Sequence, residues 1–262
     1  MGSPYLSRRR QVLGLFSAAA LSVAGRRPRA ANRSGAAPVK LRAVAFDLFT
    51  IFDPRSVVTA AQSLVPAGRA KELCDAWRLR QFEYSWLRAA AGRYADFRVV
   101  TEESLAYAAR AARISLTADA RRTLVQAYER IELWPDAQAS LLVMKKAGLR
   151  LAPLTNYAPS MVENLLAHAG LRPLFDELIS TDRARTFKPD PRAYALGESV
   201  LGLRREEIAF AAFGGWDAAG AAWYGYPTFW VNRLGLPPEE LGPGPEATGP
   251  TLRELASWLG AR

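Results

Sequence analysis

The hydrophobic pattern changes character twice along this chain. Apolar residues run almost unbroken over positions 41–46 with no turn former, as in a strand buried on both faces. From residue 56 to 133 the spacing is helical. It predicts helices over 57–64, 69–86, 101–112 and 117–131, the third opening on the capping-box pattern Thr101-Glu102-Glu103-Ser104. Trp134-Pro135-Asp136 breaks that run. Strand-like and helix-like segments then alternate, with strands predicted at 149–154, 178–180, 208–213 and 228–231. Helices are predicted at 137–147, 159–169, 191–201, 217–225 and 251–259. Such alternation predicts an α/β fold, a Rossmann-like parallel sheet with helices on both faces. Residues 40–55 and 134–262 would form that core, with 56–133 inserted as a helical domain. Pro153 conflicts with an interior strand, because proline lacks a ladder donor. The Pro/Gly-rich stretch 235–250 is expected as a surface loop.

Charge first suggests a nucleic-acid partner, since 35 Lys and Arg against 25 Asp and Glu give +10 over 262 residues. The distribution removes that suggestion. Arg8, Arg9, Arg10, Arg26, Arg27, Arg29 and Arg33 lie within residues 1–38, which hold no acid; the other 28 basic residues (35 less 7) leave a net of +3. Half of the residues are hydrophobic, enough for a sizeable core. Cys74 is the only cysteine and His168 the only histidine, so an internal disulfide, a Cys- or His-rich metal centre and a Ser-His-Asp triad are not expected.

Arg8-Arg9-Arg10 precede an apolar run over 12–24 that is too short for an ordinary membrane span. A basic segment before a short apolar one is the pattern of a secretory signal, and the paired arginines resemble the bacterial twin-arginine type. Residues 1–39 are expected to be export signal and linker, giving a periplasmic or exported protein with no stable membrane association after signal removal. A mis-assigned start codon, with a cytoplasmic product, is the alternative.

Candidate chemistry begins at Asp47, which ends the first predicted strand. Ligands of open parallel sheets bind beyond the carboxyl ends of the strands. An ionised aspartate can be a nucleophile that forms an ester, and a nearby lysine keeps it ionised; Lys188, in a loop after a strand, is the candidate. Thr50 and Thr155 offer hydroxyls at strand ends, Asn156 an amide, and Arg78 a fixed positive fork suited to an acid group or a departing anion. Tyr194 is placed to bond toward Lys188 or the nucleophile. Asp217 either orients Lys188 or caps its helix. Phe82, Phe97 and Trp216 are candidates for an apolar pocket wall.

Several segments together resemble the haloacid dehalogenase superfamily, and within it the L-2-haloacid dehalogenase (type II) family. They are Phe46-Asp47-Leu48-Phe49-Thr50, Trp77-Arg78, Glu83-Tyr84-Ser85-Trp86-Leu87-Arg88, Gly92-Arg93-Tyr94, Leu154-Thr155-Asn156, Phe187-Lys188-Pro189-Asp190-Pro191-Arg192-Ala193-Tyr194, Trp216-Asp217 and Trp230-Val231-Asn232-Arg233. The resemblance covers nearly all of residues 41–259. It implies a cap domain at 56–133 with Arg78 facing the leaving group. The implied reaction converts (S)-2-haloalkanoic acids to (R)-2-hydroxy acids and halide through an Asp47 ester, with no cofactor and no metal. The implied partners are the small haloacid and halide, not nucleic acid; a homodimer is a candidate assembly.

The chain departs from the family pattern in three places. The loop after Asp47 is one residue shorter and lacks the glycine before Thr50. Phe49 replaces a tyrosine. Ala212 and Gly214 stand where the family has Ser and Asn, so hydrolysis of the ester is expected to limit turnover. These departures leave two alternatives: a binder of small organic anions, or a phosphatase-type hydrolase. Against the latter, Phe49 stands where such phosphatases carry a second aspartate.

Overall fold

A computed structural model describes residues 39–261. The expected export signal lies in residues 1–38, outside the described residues. Six parallel strands form one sheet in the order β3-β2-β1-β4-β5-β6: β1 (Ala43–Phe46), β2 (Arg150–Thr155), β3 (Ile179–Ser180), β4 (Ile208–Ala212), β5 (Thr228–Val231) and β6 (Ala247–Gly249). The order reverses between β1 and β4, which is where open α/β sheets bind ligands. Asp47 comes directly after β1, at that point.

The alternation within β1 sets its two faces. Val44 and Phe46 join one apolar cluster with Leu151, Ala209, Ala211, Phe229 and Val231, while Ala43 and Ala45 join the other with Ala152, Leu154, Phe210 and Ala212. Helices α5 (Ala137–Lys146), α6 (Pro159–His168) and α9 (Leu252–Trp258) cover the first face. Helices α7 (Pro191–Leu201) and α8 (Gly215–Tyr224) cover the second. With both faces covered, all of β1 is buried, which explains its unbroken apolar run.

Between β1 and α5 the chain forms four helices: α1 (Ser56–Gln62), α2 (Ala70–Ala90), α3 (Phe97–Ala111) and α4 (Ala118–Ala127). α2 packs along α3, with the Trp77 indole N–H donating to Thr101 O at 2.8 Å. An antiparallel bridge pairs Phe52 with Leu133 where the chain leaves and returns. Among the described residues no helix is long and apolar enough to cross a membrane.

Two expectations need correction, and one conflict is resolved. α3 begins four residues before Thr101, capped by Asp96, whose side chain accepts from Val99 N. Thr101 is inside the helix, its hydroxyl bonded back to Phe97 O at 2.6 Å, so the capping-box pattern is a chance match. β6 lies within the stretch expected to be loop; three residues framed by Pro and Gly give no periodic signal. Pro153 does lie in β2, but the sheet tolerates it. Arg150 N–H donates toward β1 at Arg42 O and Leu151 N–H turns the other way, to Asp176 Oδ2. By this alternation the Pro153 nitrogen faces away from β1, ahead of the β3 pairing that starts at Leu154.

Candidate active site

Asp47, Lys188 and Asp217 form one buried array. Lys188 Nζ donates to Asp47 Oδ2 and to Asp217 Oδ2, each at 2.7 Å. The side chains of Lys188 and Asp217 are both 1 % exposed and that of Asp47 is 12 % exposed, so the nucleophile candidate alone reaches the adjoining cavity. Three separate elements build the array. β1 delivers Asp47, the loop before α7 delivers Lys188, and the first turn of α8 delivers Asp217. Burial pulls the Lys188 ammonium down, but the Asp217 and Asp47 carboxylates more than offset it and hold its pKa above the ordinary lysine value. Burial pushes the Asp217 carboxyl up to about 6, with Lys188 opposing and the Asp47 charge reinforcing the rise.

Asp47 is held from two sides. Its Oδ1 accepts from Phe49 N at 2.9 Å, leaving Oδ2 to Lys188. Residues Leu48–Thr50 form a single 3-10 turn beneath it. Asp47 therefore caps the turn after its strand and carries the buried ion pair as well.

Thr50 does not offer its hydroxyl to a bound molecule. It is fully buried and donates to Asp47 O at 2.7 Å, fixing the turn. Tyr194 bonds neither Lys188 nor Asp47; its hydroxyl donates to Asp217 Oδ1 at 2.7 Å. Burial foremost, then the Asp217 charge, raises the Tyr194 hydroxyl pKa well above its ordinary value, so it stays a donor. Asp217 orients Lys188 and makes no cap bond, since α8 starts from Gly214 without a side-chain cap. Asn156 accepts from Lys188 N at 2.9 Å and Thr181 Oγ1 at 3.3 Å, so its carbonyl oxygen positions the lysine loop and its NH2 remains for the cavity. Thr155 Oγ1 accepts from Tyr157 N at 3.2 Å.

The cavity holds about 310 Å³ and is bordered by Asp47, Arg78, Thr155, Asn156 and an aromatic wall that includes Phe82, Phe97 and Trp216. Phe82 lies stacked on Trp86 at 5.7 Å and edge-on to Trp216 at 5.4 Å. Phe97 stacks on Tyr157 at 5.3 Å. The Arg78 guanidinium stands over Phe49 at 4.1 Å and Phe82 at 4.6 Å. No carboxylate among the described residues pairs with it, although the other arginines on α2 or at its N-cap, Arg69, Arg80 and Arg88, all have acidic partners. Arg78 is thus a half-buried cation cushioned by aromatic faces and open to an anion. A larger hollow of about 390 Å³ between α3 and α4 is bordered by surface side chains such as Arg98, Arg121 and Arg122 and holds no comparable array.

Sequence reasoning did not find Tyr157, Phe213, Leu234, Leu236 or Glu239 on the cavity wall. Leu234 lies just before the Pro/Gly-rich stretch after β5, and Leu236 and Glu239 lie within it, where composition says loop and nothing more. Gly214 also has a spatial reason: a Cβ there would lie 2.7 Å from the Trp216 indole nitrogen, so the indole fills the place of a side chain at 214.

A Rossmann-like sheet whose first strand ends on a carboxylate bonded to a buried lysine, beneath an inserted group of helices, defines a class of aspartate-centred α/β proteins. Residues 41–225 match the family model for haloacid dehalogenase-like hydrolase. The chain is 41 % identical over 216 residues to the (S)-2-haloacid dehalogenase of Pseudomonas sp. (strain YL), covering 82 % of this chain and 93 % of that one. A crystal structure of an L-2-haloacid dehalogenase superposes with a TM-score of 0.82 at 38 % identity, covering 85 % of this chain and all of the other. The L-2-haloacid dehalogenase from Xanthobacter autotrophicus with chloropropionic acid covalently bound gives 0.79 at 36 % identity, over 84 % of this chain and 98 % of that one. The chain therefore belongs to the haloacid dehalogenase-like hydrolases, in the (S)-2-haloacid dehalogenase family.

Proposed function

We propose that this protein hydrolyses (S)-2-haloalkanoic acids to (R)-2-hydroxy acids. The observation that carries the reading is the opposition of two charges in one apolar cavity: Asp47, bonded to Lys188 at 2.7 Å, and Arg78, with no acidic partner among the described residues. Asp47 Oδ attacks C2 of the substrate from the side opposite the halogen. The new C–O bond forms as the C–X bond breaks, the halide leaves with the bonding pair toward Arg78, and C2 inverts. Water then attacks the carboxyl carbon of the Asp47 ester. The C–O bond to that carbon breaks, the 2-hydroxy acid leaves, Asp47 is restored and one proton is released. Residues 56–133 act as a cap that brings Arg78 to the cavity, and Asn156 and Thr155 supply polar edges for the substrate carboxylate. Tyr194 and Asp217 act through Lys188 rather than on the substrate.

The test is halide release from L-2-chloropropionate with the product resolved by chirality. D-lactate released at a rate unaffected by EDTA is expected. Activity that EDTA abolishes and magnesium restores would reject this chemistry. A second reading, a binder of small organic anions, is favoured by Ala212 and Gly214, which put no polar side chain at the end of β4. Tight binding of the substrate without halide release would select it.

A further inference from the structure

We infer that Arg233 and Trp134 are positioning residues for the nucleophile, gripping the turn that carries Asp47 from behind. The inference rests on the dehalogenase reading only for the step it would slow. Three donors of the turn bond back to Asp47, with Phe49 N–H going to Asp47 Oδ1 and Thr50 N–H and Thr50 Oγ1 to Asp47 O, while Leu48 O accepts from Ile51 N and Phe52 N. Two carbonyls are left facing outward, and each meets one donor from a distant part of the chain. The Trp134 indole N–H donates to Phe49 O at 3.0 Å. Arg233 donates to Thr50 O through Nη2 at 2.7 Å and Nε at 3.2 Å.

The opposite edge of the same guanidinium is fixed in turn. Arg233 Nη1 donates to Asp136 Oδ1 at 2.6 Å, and Asp136 Oδ2 accepts from Leu252 N at 2.8 Å. The pair is buried, with side chains 3 % and 7 % exposed, and Arg233 lies over the Trp134 ring at 5.0 Å. The end of β5, the start of α5 and the first residue of α9 thus converge on a turn of three residues. The planar fork carries donors on different edges, so one guanidinium serves Thr50 O and Asp136 Oδ1 together in fixed geometry. A misplacement of about 1 Å at a reacting group costs on the order of 100-fold in rate. A turn this short has no slack to absorb one.

Three variants separate positioning from plain stability. Arg233→Lys keeps a charge for Asp136 and loses the fork on Thr50 O. Trp134→Phe keeps a ring and loses the bond to Phe49 O. Asp136→Asn breaks the ion pair and leaves the fork. Each is mixed with L-2-chloropropionate, quenched, and followed for Asp47 ester by mass spectrometry, beside its Tm and the amide hydrogen exchange of peptides spanning 47–52. R233K and W134F should slow ester formation about 10- to 100-fold with KM within twofold, and should speed exchange in the turn while the rest of β1 stays protected. D136N should lose as much Tm as R233K yet form ester within threefold of the parent. Rate losses that follow Tm across all three variants would overturn the inference, as would unchanged exchange in the turn. A parent protein that forms no ester and releases no halide rejects the dehalogenase reading instead, and the exchange measurement still decides whether the grip exists.

Discussion

Asp47→Asn separates chemistry from folding better than any other single change. In the parent, Lys188 Nζ is shared between two carboxylates at 2.7 Å each. The variant keeps Asp217 as a charged partner and keeps an oxygen at position 47, so no bare cation is left in the core. The loss is that of one charge-assisted hydrogen bond, about 1.5–3 kcal/mol, which for a domain of this size is roughly 3–12 °C in Tm. Lys188→Met is the contrasting change. It leaves Asp47 and Asp217 buried without a cation, and breaking such a pair from one side costs about 3–5 kcal/mol. Catalysis should respond differently: removing the nucleophile from a unit that acts together costs on the order of 10⁴-fold or more. Halide release by ion chromatography and Tm by calorimetry give both quantities on one sample. In heavy-oxygen water, a single turnover of the parent should place label in Asp47, because water attacks the ester carbonyl. Label found only in the hydroxy acid during that first turnover would refute the reasoning and demote Asp47 to general base. D47N retaining a tenth of the parent rate would do the same.

Five further outcomes are expected. Because Ala212 and Gly214 leave the hydrolytic water without the usual polar side chains, the Asp47 ester should accumulate during steady turnover; a quenched mass spectrum showing no ester at saturating substrate would contradict this. Asp217 carries a raised pKa of about 6 against an ordinary 3.8, so it protonates as pH falls through about 6 and loosens its hold on Lys188; kcat should fall on that limb, and Asp217→Asn, though slower throughout, should flatten it. A raised carboxyl contributes stability that is fully present below pH 3.8 and is lost as pH rises through about 6, so the same variant should abolish that part of the Tm–pH curve. Gly214→Ala would put a Cβ 2.7 Å from the Trp216 indole nitrogen, so the indole must move; KM should rise with the fold intact, and an unchanged KM would mean the ring does not contact substrate. Replacing Arg8, Arg9 and Arg10 together by Lys should keep the protein in the cytosol of an exporting bacterial host, and equal periplasmic amounts of variant and parent would end the export proposal.

Much of this molecule is legible in one dimension, for physical reasons that also mark where legibility stops. A strand buried on both faces must be apolar throughout, so β1 and the carboxylate ending it stand out. Helical spacing over 56–133 likewise announces an insertion. Hydrogen-bond partners leave no such trace. Thr50 gives its hydroxyl to the backbone three residues before it, and Arg233 reaches Thr50 from 183 residues away. Trp134-Pro135-Asp136 reads as a break between helices, and only folding shows that Trp134 reaches the nucleophile's turn and that Asp136 pairs with Arg233. For Tyr194 the sequence indicates the right neighbourhood and the wrong partner, because spacing along α7 fixes which way a ring points but not which of three adjacent polar groups it meets.

The charges of the site give Lys188 and Arg78 different tasks. Asp47 and Asp217 carry two negative charges, and Lys188 and Arg78 balance them. Lys188 is spent on the two carboxylates and lies 1 % exposed, so it has no free face for an arriving anion. Arg78 has one, and its aromatic bed lowers the cost of holding an unpaired guanidinium out of full solvent. In the proposed displacement the charge on Asp47 disappears into a neutral ester at the moment a halide anion is made. The total charge inside the cavity does not change, but one negative charge moves from beside Lys188 to beside Arg78. A cation at each end of that path stabilises the transfer as it proceeds. Exchanging the two would not serve. A lysine at 78 gives up the planar fork that lies across Phe49 and Phe82, and an arginine at 188 is too broad to fit between two carboxylates that each lie 2.7 Å from a single nitrogen.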